Sequence, residues 1–298
     1  MPNLQLVEKE NLSSFRRIAI GTWKTTAEAS VYGQMALRAD KMLTYIEELR
    51  RRTGKRVTLS HVMAKCVSIV LSEMPDANAV LRFNKIFLRQ NIGVFFQVLL
   101  DDPSGEMDLS GATIFDCEKK GVIEIVDEFD AKVDMVRRRK DKSLEKTRST
   151  FKSIPFFMLN WVLDTISFFC YTLNLDLSAL GLPKDPFGSA MITNIGSLGL
   201  EEAYVPLVPY SKVPLIIALG AVKDEVIAED GKPVVAKMVR VCATFDHRVL
   251  DGVHAAKMAK TLKRIFADPE AELGALPTSV SSTTKETTTG ATSAGASL

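Results

Sequence analysis

A histidine followed after three residues by an aspartate and a glycine, His247-Arg248-Val249-Leu250-Asp251-Gly252, is the stretch of this sequence best suited to chemistry. A neutral imidazole can take up a proton near physiological pH, and a carboxylate four residues later can orient a neighbour or cap a helix. Two β-rich runs, Pro214 to Ile227 and Pro233 to Phe245, precede it and are separated by Glu229-Asp230-Gly231-Lys232, a hairpin signal. That hairpin carries His247 to the end of a strand. From Gly252 the pattern turns helical, with Ala255, Ala256, Met258, Ala259, Leu262 and Ile265 spaced for packing and Asp251 standing at the N-cap.

Upstream, Glu28 to Leu37 reads as a strand, and Ala39 to Arg52 as a helix with Met42, Leu43, Ile46 and Leu49 on one face. Thr58 or Ser60 caps a second helix that ends before Pro75. Asn91 to Leu100 reads as a buried strand, and Ile123 to Lys140 as a charged helix. With 298 residues and 46% apolar content the chain can bury a large core. The 38 basic and 36 acidic side chains leave a formal charge of +2, which gives no electrostatic reason to expect a nucleic-acid partner. Cys66, Cys117, Cys170 and Cys242 show no metal-like spacing, so no metal is expected and the thiols read as reduced and buried. Charges within Met1 to Glu10 speak against export and make the cytoplasm the expected location.

Three blocks carry a resemblance. They are Val57-Thr58-Leu59-Ser60-His61-Val62-Met63-Ala64-Lys65 with Met74-Pro75-Asp76-Ala77-Asn78, then Ile192-Thr193-Asn194-Ile195-Gly196-Ser197-Leu198-Gly199, then Phe245-Asp246-His247-Arg248 through Asp251-Gly252. Together they resemble the catalytic domain of the dihydrolipoyl acyltransferases of 2-oxoacid dehydrogenase complexes, within the chloramphenicol acetyltransferase-like superfamily. The resemblance implies an α/β fold, a two-layer sandwich, over residues 1–277; the Ser/Thr-rich composition of 278–298 separately reads as a tail too polar to order itself. It implies thioester exchange with coenzyme A as carrier and His247 as general base. Thr193 matches the hydroxyl that steadies the tetrahedral oxyanion, where the family usually has serine. Asp251 would pair with an N-terminal arginine, Arg16 or Arg17. The active site would lie between subunits of a homotrimer, with His247 from one chain and Thr193 from its neighbour, and trimers could join into a larger assembly.

Neither a lipoyl domain nor an Ala/Pro-rich linker precedes the resembling region, so a lipoyl group would come from another chain. Two other readings stand beside this one: an O- or N-acyltransferase using the same base on a small molecule, and a non-catalytic assembly or membrane-associated scaffold. His61 and His254 read as packing or surface residues. A basic, then apolar insertion occupies 138–187. Its part from Arg139 to Leu182 fits either a peripheral membrane surface or an extra helix pair buried against the domain or between subunits, with Asn160, Asp164 and Ser167 as a narrow polar stripe.

Overall fold

The computed structural model describes residues 2–9, 29–101, 107–137 and 155–277. Arg16, Arg17, the basic run 138–154 and the tail 278–298 lie outside the described residues.

A seven-stranded mixed sheet organises the molecule. Its strands are β2 (Ser30–Arg38), β5 (Gly93–Asp101), β6 (Met107–Phe115), β7 (Ala190–Asn194), β8 (Leu215–Leu219), β9 (Lys223–Glu229) and β10 (Lys232–Asp246). They run in the order β2-β10-β8-β7-β5-β6, with β9 paired to the first half of β10. Pairings are antiparallel except β5 with β7 and β7 with β8. A separate three-stranded sheet joins β1 (Leu6–Glu8), β4 (Lys85–Arg89) and β3 (Ala79–Arg82).

Four helices cover one face of the large sheet: α1 (Asp40–Thr53), α2 (Leu59–Glu73), α3 (Val122–Arg137) and α5 (Gly252–Ala267). Between them, α4 (Phe156–Ser167) continues as one π turn through Thr172, and the short α6 (Pro269–Leu273) ends the described chain. Met42, Ile46 and Leu49 of α1 are buried at the spacing the sequence predicts, because positions three and four apart share one helix face. They join one core with Val62, Val67 and Val70 of α2, Ile125 of α3, Leu262 and Ile265 of α5, and the sheet residues Ile192, Ile217 and Phe245. Alternate strand residues point the other way. There Met191 and Ile216 meet Leu207 and Val213, while Ala218 and Cys242 meet Ile195, so a loop layer closes the second face.

The run Pro214 to Ile227 is not one strand but two, β8 and β9, interrupted at Gly220. A Cβ on Gly220 would lie 1.9 Å from the Glu201 carbonyl oxygen, so the break marks a close crossing of chain that no local pattern announces. The hairpin itself is as expected, with Asp230 and Gly231 both at positive φ, as a two-residue primed turn requires.

His61 is a packing residue, within the packing-or-surface reading of the sequence, and it also serves the start of a helix. Its Nδ1 accepts the Thr58 backbone N–H at 3.2 Å at the start of α2, and its ring packs on Phe129 and Phe96. Burial, helped by the Arg56 charge, pushes its pKa down to about 4. Because the unfolded chain then binds this proton more readily, the stability it supports is full above about pH 6.5 and is lost as pH falls toward 4. Thermal melting temperature is expected to fall across that window, and the fall should be shallower in His61→Gln. The difference corresponds to about 3 kcal/mol at pH 4, from 1.36 kcal/mol per pKa unit.

The insertion docks on the domain by one side. Cys170 and Tyr171 of the π turn are buried with Leu4 and Val80, and Asn3 Nδ2 donates to the Cys170 carbonyl at 3.1 Å. Arg82 Nε donates to the Thr172 carbonyl at 2.9 Å, which ties the same turn to the small sheet. The predicted polar stripe divides: Asn160 and Asp164 are exposed, but Ser167 is buried on the docking side while Trp161 faces out. Among the described residues no helix is long and apolar enough to cross a membrane. All four cysteines are buried free thiols.

Candidate active site

The segment after β10 is a tight turn built from its own backbone. Asp246 N–H donates to the Pro214 carbonyl at 2.9 Å, and the N–H groups of Val249 and Leu250 both return to the Asp246 carbonyl. His247 N–H donates to the Ala29 carbonyl at 2.8 Å, just before β2 begins. Strand, turn and chain entry thus converge on one histidine.

The imidazole is fixed in a usable form. His247 Nδ1 lies 2.8 Å from the Leu250 carbonyl oxygen. A carbonyl only accepts, so in the neutral ring Nδ1 carries the hydrogen and Nε2 keeps its lone pair. The result is an oriented base on a half-buried side chain.

Beneath the turn, Asp246 and Arg248 form a two-pronged ion pair, Nε to Oδ1 at 2.9 Å and Nη2 to Oδ2 at 2.7 Å, with side chains 5% and 10% exposed. Asp246 ends β10 and Arg248 lies in the turn, whose closure brings the two heads together. Removing one member of a buried pair strands the other, so Arg248→Ala is expected to cost about 3 kcal/mol of stability in thermal or denaturant unfolding. A loss below 1 kcal/mol would mean that water reaches the pair.

Asp251 is the N-cap of α5. Its Oδ1 accepts from Val253 N at 3.0 Å and His254 N at 3.1 Å, and His254 Nδ1 lies 2.6 Å from the same oxygen. At that distance from a carboxylate His254 Nδ1 acts as the donor. His254, read from the sequence as packing or surface, thus adds a side-chain donor to the Asp251 cap, and the Asp-x-x-His spacing at a helix start was the signal that could have found it. His247 and Asp251 share one turn and one helix start.

Thr193 stands elsewhere. It lies near the end of β7 on the sheet face away from the helices, opposite Ala218 of β8, which is opposite Cys242 of β10. His247 is five residues beyond Cys242, so the backbones of Thr193 and His247 are separated by roughly 16 Å along the strands and 10 Å across them. Within one chain they cannot touch the same atom. Among the described residues the Thr193 hydroxyl has no hydrogen-bond partner, and it is half-buried. The turn after it is held against β8: a Cβ on Gly196 would lie 2.6 Å from the Gly220 carbonyl oxygen, so glycine alone fits.

Two further features border the histidine turn. Lys212, at φ 56° just before β8, is half-buried; burial lowers its pKa, as does the nearby Arg248, while Asp164 of α4 and Asp246 raise it. Since α4 packs on Pro209–Ser211, the insertion reaches the loop whose Pro214 carbonyl holds Asp246. An apolar cavity of about 130 Å³ lies between α2, α5 and the sheet, lined by Gly33, Met35, Val67, Leu215, Phe245 and Met258. Its lining lies on the helix side of the sheet, the face opposite Thr193. Among the described residues no cluster of three or more His, Cys, Asp or Glu could hold a metal ion.

The sequence model of the 2-oxoacid dehydrogenases acyltransferase (catalytic domain) family matches residues 6–154 and 186–273. The chain belongs to that family. It is 20% identical over 273 residues to the dihydrolipoyllysine-residue acetyltransferase component of the acetoin cleaving system of Bacillus subtilis, covering 90% of this chain and 57% of that protein. Among solved structures it superposes on a probable dihydrolipoamide acetyltransferase from Listeria monocytogenes with a TM-score of 0.62 at 16% identity, covering 91% of this chain and 99% of the other. It superposes on the Azotobacter vinelandii dihydrolipoamide acetyltransferase with a TM-score of 0.60 at 19% identity, covering 89% and 94%. That enzyme's catalytic mechanism was investigated at a serine, a histidine and an asparagine four positions beyond the histidine. The chain spans from 18% to 57% of the length of the first curated relatives it matches. Both superpositions support the two-layer α/β fold. Residues 155–185, the described part of the insertion, fall outside the family match.

Proposed function

We propose that this chain transfers an acyl group between coenzyme A and a second thiol such as dihydrolipoyl, at sites formed between copies of itself. The observation that carries the reading is the His247 turn, where the Leu250 carbonyl holds the Nδ1 hydrogen and leaves Nε2 as an oriented base.

In the reaction, Nε2 takes the hydrogen of the attacking thiol as its sulfur bonds to the thioester carbon. The carbonyl π pair moves to oxygen, and the Thr193 hydroxyl of a neighbouring copy donates to that oxyanion. Collapse re-forms the carbonyl and expels the first carrier's sulfur, which takes the hydrogen back from the imidazolium. Atoms and charge balance without a metal or redox cofactor. Asp251 holds the turn by capping α5, and Arg16 or Arg17 would complete its pairing. His247 and Asp251 have the same four-residue spacing as the histidine and asparagine studied in the Azotobacter enzyme, and Thr193 would supply the hydroxyl in this chain.

The roughly 16 Å by 10 Å separation within one chain supports a site shared between copies, and a homotrimer closes such a head-to-tail contact. A lipoyl-bearing protein would be the acceptor partner. Acyl-coenzyme A turnover with dihydrolipoamide, measured beside a hydroxyl and an amine acceptor, tests the reading. Thiol-specific turnover is expected, and transfer only to the hydroxyl or amine would contradict it.

A further inference from the structure

The two flanks of the helix layer carry opposite charge. On α5, Lys257, Lys260 and Lys263 stand exposed at three-residue steps, with Val253 and Ala256 exposed on the same outer face. Among the described residues no carboxylate pairs with any of these three lysines, although Arg264 of the same helix meets both Glu73 and Glu272. On α3, Glu124, Asp127 and Asp130 are exposed at the same three-residue steps, with Ala131 and Met135 exposed beyond them. Among the described residues Asp127 meets Lys55 at 2.5 Å, while Glu124 and Asp130 have no cation partner. A row of unpaired cations and a row of carboxylates thus share one spacing on two different helices.

These faces cannot meet inside one chain. Helix α5 packs on β2, one edge strand of the large sheet, and α3 packs on β6, the other edge, while α2 lies between them and touches both. A second copy set head to tail brings the α5 flank of one chain against the α3 flank of the next. Run antiparallel, the two helices place Val253 against Met135 and set Lys257, Lys260 and Lys263 opposite Asp130, Asp127 and Glu124, since each step of three residues is about 4.5 Å of helix. The same join turns the His247 side of one copy toward the Thr193 side of the next, because His247 follows β10 beside the β2 edge while Thr193 lies on β7 toward β6. We infer that α5 of one copy docks on α3 of the next through these lysines and carboxylates, and that this contact joins the copies that share an active site. The inference rests on the shared-site reading and names the surface that reading needs. Exposed ion pairs add little affinity each, so their part is to select the partner face and fix its register.

The test is the assembly state of the full chain, followed by sedimentation velocity across protein and salt concentration. Lys260→Glu/Lys263→Glu sets like charges across the contact and is expected to raise the concentration at which half the chains assemble at least about tenfold at low salt. Glu124→Lys/Asp130→Lys should do the same from the other side. All four positions are exposed, and circular dichroism checks that each variant folds. Combining the four substitutions in one chain exchanges the charges, and assembly should return. Unchanged assembly in either reversed variant would overturn the inference, as would failure of the combined chain to reassemble. If Lys260→Glu/Lys263→Glu keeps both assembly and acyl transfer, the interface lies elsewhere and the shared site stands. An intact chain that stays monomeric yet active would overturn both.

Discussion

His247→Ala is expected to lower acyl transfer about 10³-fold, within the range a positioned general base contributes, while the melting temperature and oligomeric size stay near those of the intact protein. Among the described residues the side chain pairs with the Leu250 carbonyl at this turn, and the turn is also held by the backbone bonds of Asp246, Val249 and Leu250. The loss should therefore be chemical. His247→Gln makes the point sharper, since its amide can donate to the Leu250 carbonyl but supplies no base near neutral pH. Steady-state kinetics should place the whole change in kcat. A variant retaining more than a tenth of the activity would remove His247 from the reaction.

Thr193→Val is expected to cost about 10² to 10³ in kcat, the usual effect of deleting one oxyanion donor. Valine keeps the shape and the β preference of threonine, so the strand should persist. The donor lost is a hydroxyl that makes no hydrogen bond among the described residues. Thr193→Ser should keep most of the activity because the donor survives. If valine and serine behaved alike, Thr193 would be a strand residue and nothing more.

The His247 segment was legible in the sequence because its parts are local. A β run, a histidine and an N-capping aspartate before an amphipathic helix occupy consecutive residues, and the structure places them in that order. The positions of Met42, Ile46 and Leu49 were legible for the same reason: helical spacing alone selects one face. His254 and the Asp246–Arg248 pair were overlooked, although both are close in sequence, because each depends on how a turn closes. The break at Gly220 was hidden because its cause, the Glu201 carbonyl, arrives from nineteen residues away.

The distance between Thr193 and His247 could not be read from the residues at all. It follows from the strand order β10-β8-β7, in which neighbours in space are far apart in sequence. The insertion failed differently. Periodicity showed a broad apolar helix, but which sector is covered depends on Leu4 and Val80, residues of a distant segment, so Ser167 of the polar stripe is buried while Trp161 is exposed.

The central claim is that one active site needs two copies of the chain. Co-assembling His247→Ala chains with Thr193→Val chains in equal amounts tests it directly, because each variant alone is expected to be nearly inactive. If His247 of one copy works with Thr193 of the next, random mixing leaves about a quarter of the interfaces with both residues intact, and about a quarter of the activity should return. If the mixture stays as inactive as its components, despite proven co-assembly, the site does not combine these two residues from different copies.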